Sequence, residues 1–153
     1  MIDIYSKGEY PSNVLSNFYP NAFDIDGVKC CSMESFLQSL KYKNIRRQIE
    51  VCAIDAKSAK RNAGAKKWFK KQVLWWKGKK YKRNSEEYQN LLKRAYDELL
   101  KAPDFFKALK DSGNNILTHS IGNQNPKKTI LTEKEFCDFL TKLREEIKLD
   151  NRR

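Results

Sequence analysis

Histidine is almost absent: His119 is the single imidazole in 153 residues, which leaves a zinc site short of its usual ligands. The four cysteines, Cys30, Cys31, Cys52 and Cys137, form no CxxC spacing, and the adjacent pair cannot readily bridge to itself. Neither a disulfide framework nor a thiolate metal centre is expected, and a reduced, cytoplasmic setting is the simpler reading. No apolar run is long enough to span a bilayer, and the opening Met1-Ile2-Asp3-Ile4-Tyr5-Ser6-Lys7 lacks a basic-then-apolar signal. Membrane association is therefore not expected. Repeats, low-complexity tracts and linkers are missing too, which predicts one domain over 1–153 with its core at about 13–148.

Acidic residues are missing from one long stretch. Between Ala56 and Ser85 there is no Asp or Glu, while twelve Lys and Arg occur there, and the rest of the chain is balanced, so the whole net charge of +12 sits in this block. Trp68, Phe69, Trp75, Trp76 and Tyr81 interleave with the cations. Two readings stay open. The block at 57–83 either contacts a polyanion, with aromatic rings available to bases, or is a solvated face whose aromatics are core.

What is present predicts an α+β fold, mostly helical, with a few short strands near the amino terminus. Ile2 to Tyr5 alternates like a short strand, and Phe23-Asp24-Ile25 and Val28-Lys29-Cys30 flank Asp26-Gly27, a strong hairpin signal. Ser32 caps a helix. One helical region is expected over 45–62, ended by Gly64. Trp68 to Trp76 is ambiguous between helix and strand. Asn84 and Glu87 are spaced as a capping box for a helix with Tyr88, Leu91, Leu92, Ala95, Tyr96, Leu99 and Leu100 along one stripe. Pro103 opens a short helix with Phe105, Phe106 and Leu109 inward, stopped by Gly113. Residues 115–121 read as extended and 122–128 as a polar loop. Thr132 and Glu135 form a capping box for a last helix over 133–148, with Leu131 and Phe136 as its staple and a frayed tail at 151–153.

The helix after Ser32 carries the most informative chemistry. Met33, Phe36, Leu37 and Leu40 recur at i, i+3, i+4, i+7 and form a buried stripe. At about 100° per residue, Glu34, Gln38 and Lys41 fall on a neighbouring face, at the edge of the core. Either this is an ordinary amphipathic helix, or a carboxylate, an amide and an ammonium are held there for a purpose.

Leu15-Ser16-Asn17-Phe18-Tyr19-Pro20 followed by Ser32-Met33-Glu34-Ser35-Phe36-Leu37-Gln38-Ser39-Leu40-Lys41 resembles the opening of the NADAR, or YbiA-like, domain family. Further matches are Trp76-Lys77-Gly78, Lys82-Arg83-Asn84-Ser85 with Glu87-Tyr88-Gln89, Leu117 to Gly122, and Thr129 to Thr132 with Glu135-Phe136-Cys137. The resemblance implies an N-glycosidase that cleaves a ribose C1′–N bond, with ADP-ribose on guanine and phosphorylated riboflavin-pathway intermediates as known or proposed substrates. It implies Glu34 as the catalytic carboxylate, facing an oxocarbenium-like transition state. Lys41 and Arg83 would hold phosphate and Trp76 would stack on the base. Ser16, Asn17, Phe18, His119, Gly122 and Asn125 complete the implied substrate-binding set. Ser16 and Asn17 serve equally well as local turn formers, Phe18 as core packing, and His119 as a hydrogen-bonded structural imidazole. No metal or other cofactor is required.

One departure from that pattern stands out. Many family members carry an acid and a Trp-Gly pair in the carboxy-terminal loop, where this chain has Asn123-Gln124-Asn125-Pro126-Lys127-Lys128. Asn125 stands where a carboxylate is expected, and an amide cannot act as a general base. The expected partner is ADP-ribosylated guanine in nucleic acid or a related nucleotide-sugar. The rival expectations are a non-catalytic module that binds nucleic acid or ADP-ribose, and hydrolysis of a small phosphorylated intermediate.

Overall fold

The computed structural model describes residues 1–151. Ile2 and Ile4 point one way along an extended start, giving β1 (Ile2–Asp3), which pairs in parallel with a distant strand described below. A one-turn helix, α1 (Ser12–Leu15), was not anticipated; it buries Val14 and Leu15. Strands β2 (Phe23–Ile25) and β3 (Val28–Cys30) form the expected hairpin, with Phe23 opposite Cys30 and Ile25 opposite Val28. Asp26 and Gly27 take φ of 50° and 79°, the positive pair that a two-residue hairpin turn requires.

Helix α2 (Met33–Ser39) begins where Ser32 accepts the Ser35 N–H, as its sequence predicts. Met33, Phe36, Leu37 and Leu40 are at most 2% exposed. The helix is central because that stripe is wide, and burying each such side chain contributes roughly 1.5–3 kcal/mol. The expected single helix over 45–62 is instead two, α3 (Ile45–Cys52) and α4 (Ala56–Ala63). Asp55 causes the break: its carboxylate accepts from Ser58 N (2.9 Å) and Oγ (2.8 Å), capping a new helix. Small residues face inward on α4, namely Ala56, Ala59 and Ala63, so it packs closely over α2.

The ambiguous stretch resolves into a 3-10 turn, Trp68–Lys70, and then strand β4 (Val73–Trp76). Strand β5 (Lys79–Lys82) pairs antiparallel with it, Trp76 opposite Lys79. This second hairpin was not foreseen, although Lys77-Gly78 repeats the Asp26-Gly27 turn, with φ of 49° and 86°. The two hairpins are pinned together. Trp76 Nε1 donates to Asp26 Oδ2 (2.8 Å), Lys77 Nζ to Asp26 O (2.8 Å), and Arg94 to Asp26 Oδ1 (2.8 Å).

Helix α5 (Glu86–Leu99) is capped by Ser85 rather than Asn84, and its stripe from Tyr88 to Leu99 is buried against α2 and the last helix. Helix α6 (Pro103–Asp111) buries Phe105 and Leu109, but Phe106 faces outward at 39% exposure, against expectation. Strand β6 (Leu117–Thr118) pairs with β1, Ile2 opposite Leu117. Helix α7 (Glu133–Asn151) starts with the expected reciprocal box: Thr132 Oγ1 accepts from Glu135 N (3.1 Å) and Glu135 Oε1 from Thr132 N (2.7 Å). It continues through Asn151, and the fraying expected at Arg152 and Arg153 lies outside the described residues. The result is an α+β fold with seven helices and three two-stranded sheets among the described residues. None of these helices is long and apolar enough to cross a membrane.

Candidate active site

Two sequence motifs meet at the first turn of α2. The Glu34 N–H, one of the helix's orphan donors, is satisfied by Asn17 O at 3.0 Å. Ser16 Oγ accepts from Phe18 N (3.2 Å), a short local turn that aims this segment at α2. Asn17 Oδ1 accepts from the Tyr96 hydroxyl (3.0 Å), which ties the segment to α5 as well. The Leu-Ser-Asn-Phe segment and the Glu34 helix are thus one wall of a cleft of about 440 Å³.

Glu34 lines that cleft and is only partly exposed. Burial raises its carboxyl above the ordinary glutamate range, and the Gln38 hydrogen bond and the charges of Lys60, Lys41 and His119 offset this only in part. Gln38 Nε2 donates to Glu34 Oε1 at 2.6 Å, one helical turn away. Gln38 itself is 5% exposed, and its own Oε1 is buried with no partner. Lys41 does not line the cleft but lies close enough to sense Glu34. Burial lowers its ammonium below the usual lysine range, against the pull of Glu34. Both charges are therefore pushed towards neutrality, as expected for a pair too far apart to repay desolvation.

His119 forms the opposite side. Its Nδ1 lies 2.7 Å from Ile4 O. A carbonyl can only accept, so Nδ1 carries the proton in this bond. The ring also meets Phe136 edge-on at 5.3 Å between centroids. Gly122 makes room for it: a Cβ there would stand 2.7 Å from His119 Cδ2. Thr132 and Asn123, at and before the start of α7, complete this wall, and Phe18 lines the mouth with Lys60 Nζ 5.4 Å from its ring centroid.

Ser16, Asn17, Phe18, Glu34, His119 and Gly122 are thus brought together. Four expected residues are not: Lys41, set back from the lining, and Trp76, Arg83 and Asn125. Trp76 is 3% exposed, packed edge-on against Phe36 at 5.0 Å and bonded to Asp26, so it offers no open face for a base. Arg83 is 2% exposed and forks onto Glu135 (2.6 and 3.1 Å) while Nε donates to Thr129 O (2.9 Å). These three donors brace the end of β5 against α7, and with 2% exposure the guanidinium presents no open edge to a phosphate. Asn125 is exposed and turns the loop, accepting from Lys127 N (3.0 Å), outside the cleft. Phe18, for which both substrate contact and core packing were expected, is half-buried at the mouth of the cleft.

Lys60 escaped the sequence reading of the site, and Gln38 entered it only as a neighbour of Glu34 without a role of its own. Gln38 was placed beside Glu34 by helical spacing, but nothing local marks its unpaired acceptor. Lys60 is one of twelve cations in an acid-free block, and only the packing of α4 on α2 singles it out.

The fold is shared with the Escherichia coli protein YbiA, known by NMR: the TM-score is 0.65 at 15% identity, over 98% of this chain and 86% of that one. The YbiA-like resemblance therefore holds at the level of fold. A 17.1 kDa protein from the Gp30-rIII intergenic region of Enterobacteria phage T4 is 33% identical over 151 residues, 95% of this chain and 98% of that protein. The sequence profile described as Bacteriophage protein GP30.3 matches residues 9–145. By these matches the chain belongs to the Bacteriophage protein GP30.3 family.

Proposed function

We infer that the protein is an N-glycosidase that hydrolyses a ribose C1′–N bond, with ADP-ribose attached to guanine as the favoured substrate. The observation that carries this reading is the position of Glu34: a carboxyl with a raised pKa, on the wall of a cleft, braced by Gln38 and near two ammonium groups. The NADAR-like motifs support the same chemistry. As the C1′–N bond lengthens, its electron pair leaves with the base nitrogen and positive charge builds on the sugar. An ionised Glu34 stabilises that charge and takes a proton from the water whose oxygen bonds to C1′. The proton then passes to the departing nitrogen, which restores the carboxylate.

The other roles follow from what faces the cleft. Lys60, with Lys41 behind it, replaces Arg83 as the partner for phosphate, and Phe18 replaces Trp76 as the aromatic surface for a base. The orphan Oε1 of Gln38 is an acceptor suited to a ribose hydroxyl or the attacking water. The test is release of ADP-ribose from an ADP-ribosylated oligonucleotide. Turnover by the wild type that Glu34→Gln abolishes is the expected result. Unchanged release by that variant removes Glu34 from the mechanism.

A second reading is favoured by one observation: among the described residues Glu34 is the sole acid lining the cleft, and Asn125 supplies none from the loop. In that reading the cleft binds ADP-ribose or nucleic acid without cleaving. Binding without release in the same assay selects it.

A further inference from the structure

Helix α4 carries recesses on both sides. Its buried face is all alanine, so it lies close to α2 and is thin enough to leave space at either edge. On one edge Lys60 reaches the Glu34 cleft. Asn62 is two residues on, about 200° around the helix at 3.6 residues per turn, and so borders the opposite edge. There a groove of about 880 Å³ runs between the end of α4 and the α2–α3 connection, lined by Tyr42, Lys43, Arg46, Arg47, Asn62 and Lys66 among others, with no acidic side chain.

The charges in this groove are available. Lys43 Nζ rests 5.1 Å from the Trp75 ring centroid and Lys66 Nζ 4.6 Å from that of Tyr42, so rings rather than carboxylates hold them. Arg46 and Arg47 share the one carboxylate of Glu50, and their side chains are 90% and 57% exposed. Such exposed pairs contribute little and exchange readily for phosphate. Between the two recesses, the outer face of α4 adds Lys57 and Arg61, both exposed. Among the described residues, Arg83 is the one cation of the 57–83 block that makes an ion pair. The field over this side of the molecule is therefore not neutralised from within.

We propose that this groove, continued across the outer face of α4 to the Glu34 cleft, binds the phosphodiester backbone of a single-stranded nucleic acid. Four cations without an acid among them match the linear charge of that polymer, and Asn44 and Asn62 add neutral donors for phosphate oxygens. The choice of a single strand rests on the hydrolase reading. A nucleotide whose modified base must reach a recessed carboxylate has to leave its stack, which costs least where there is no complementary strand.

The test is fluorescence anisotropy with an unmodified, labelled single-stranded oligonucleotide across a salt series, so it is independent of any hydrolysis. The variant Lys43→Gln/Arg46→Gln/Arg47→Gln is expected to weaken binding about ten- to a hundredfold at low salt. It should also flatten the log–log salt slope by roughly 2, since each single-strand phosphate contact contributes about 0.7. The control Lys101→Gln/Lys107→Gln/Lys110→Gln removes the same charge at and just before α6, which packs on α1 and α7 rather than beside the groove, and is expected to change both by much less. Equal losses in the two variants would reduce the groove to general attraction and overturn the proposal. So would binding of the matching duplex as tightly as the single strand, or no salt-dependent binding at all. Because the oligonucleotide is unmodified and nothing is cleaved in this assay, failure of the hydrolase reading and failure of the groove are read separately.

Discussion

Gln38 donates to Glu34 across one turn of α2, 2.6 Å from Nε2 to Oε1, and its own carbonyl oxygen is left buried and unpaired. An amide held this way favours the ionised carboxylate, against the burial that favours the neutral acid. The pair therefore sets how much of Glu34 is charged at a given pH.

Glu34→Gln should lower turnover by about 10²–10⁴-fold, the usual scale for losing a general base. It should also stabilise the fold. Glu34 has its folded pKa raised above the unfolded one, so the wild type carries no penalty below the ordinary glutamate value. The penalty grows as pH rises through the folded pKa. A gain of about 0.5–2 kcal/mol in the variant at neutral pH, vanishing in acid, is expected from thermal melts across pH.

Gln38→Leu keeps the volume near that of the native side chain and removes the donor. Loss of a charge-assisted bond worth about 1.5–3 kcal/mol should cut turnover about ten- to a hundredfold. The acidic limb of the pH–rate profile should move to higher pH. A loss of rate with the limb unmoved would mean that Gln38 acts on substrate alone.

Arg83→Ala tests structure against phosphate binding. It strands a half-buried Glu135 and should cost about 3–5 kcal/mol, a fall in Tm of about 10 °C, with KM for a modified nucleotide unchanged. Burial alone would raise the pKa of Glu135, but bonds from Arg83, Thr132 and Gln89 outweigh it and hold it below the usual range. Its contribution to stability is thus present above the unfolded glutamate pKa and is lost as pH falls through the folded one.

Gly122→Ala places a methyl group 2.7 Å from His119 Cδ2 and 3.1 Å from His119 O. Overpacking of this kind costs about 1–3 kcal/mol, and the ring must turn away from Ile4. Activity should fall with stability. Gly27→Ala is the contrast, since the space beside it is open and only its φ of 79° resists. It should cost about 1–2 kcal/mol of backbone strain and leave turnover intact.

Periodicity and caps made the helices legible. Ser32, Thr132 with Glu135, and the stripes of α2, α5 and α7 are short-range signals, and the structure has them where the spacing predicts. The break at Asp55 was hidden because no Gly or Pro marks it, and a carboxylate capping its own helix resembles any other surface Asp. Trp76 and Arg83 were misplaced for a related reason. An aromatic or a cation next to a basic run looks ready for a ligand, and only tertiary contacts with Phe36, Asp26 and Glu135 show that its face or donors are already used. The cleft itself needs the approach of segments around 17, 34, 60, 119 and 130, which no local pattern encodes.

Because the carbonyl of Ile4 holds the ring of His119, two positions 115 residues apart must both be synthesised and brought together before the far wall of the cleft exists. The start of α7, later still, closes it. Nascent or prematurely terminated fragments would carry Glu34 without the surroundings that tune it. A cut anywhere between residues 4 and 119 that separated the two pieces would therefore leave Glu34 facing an open side.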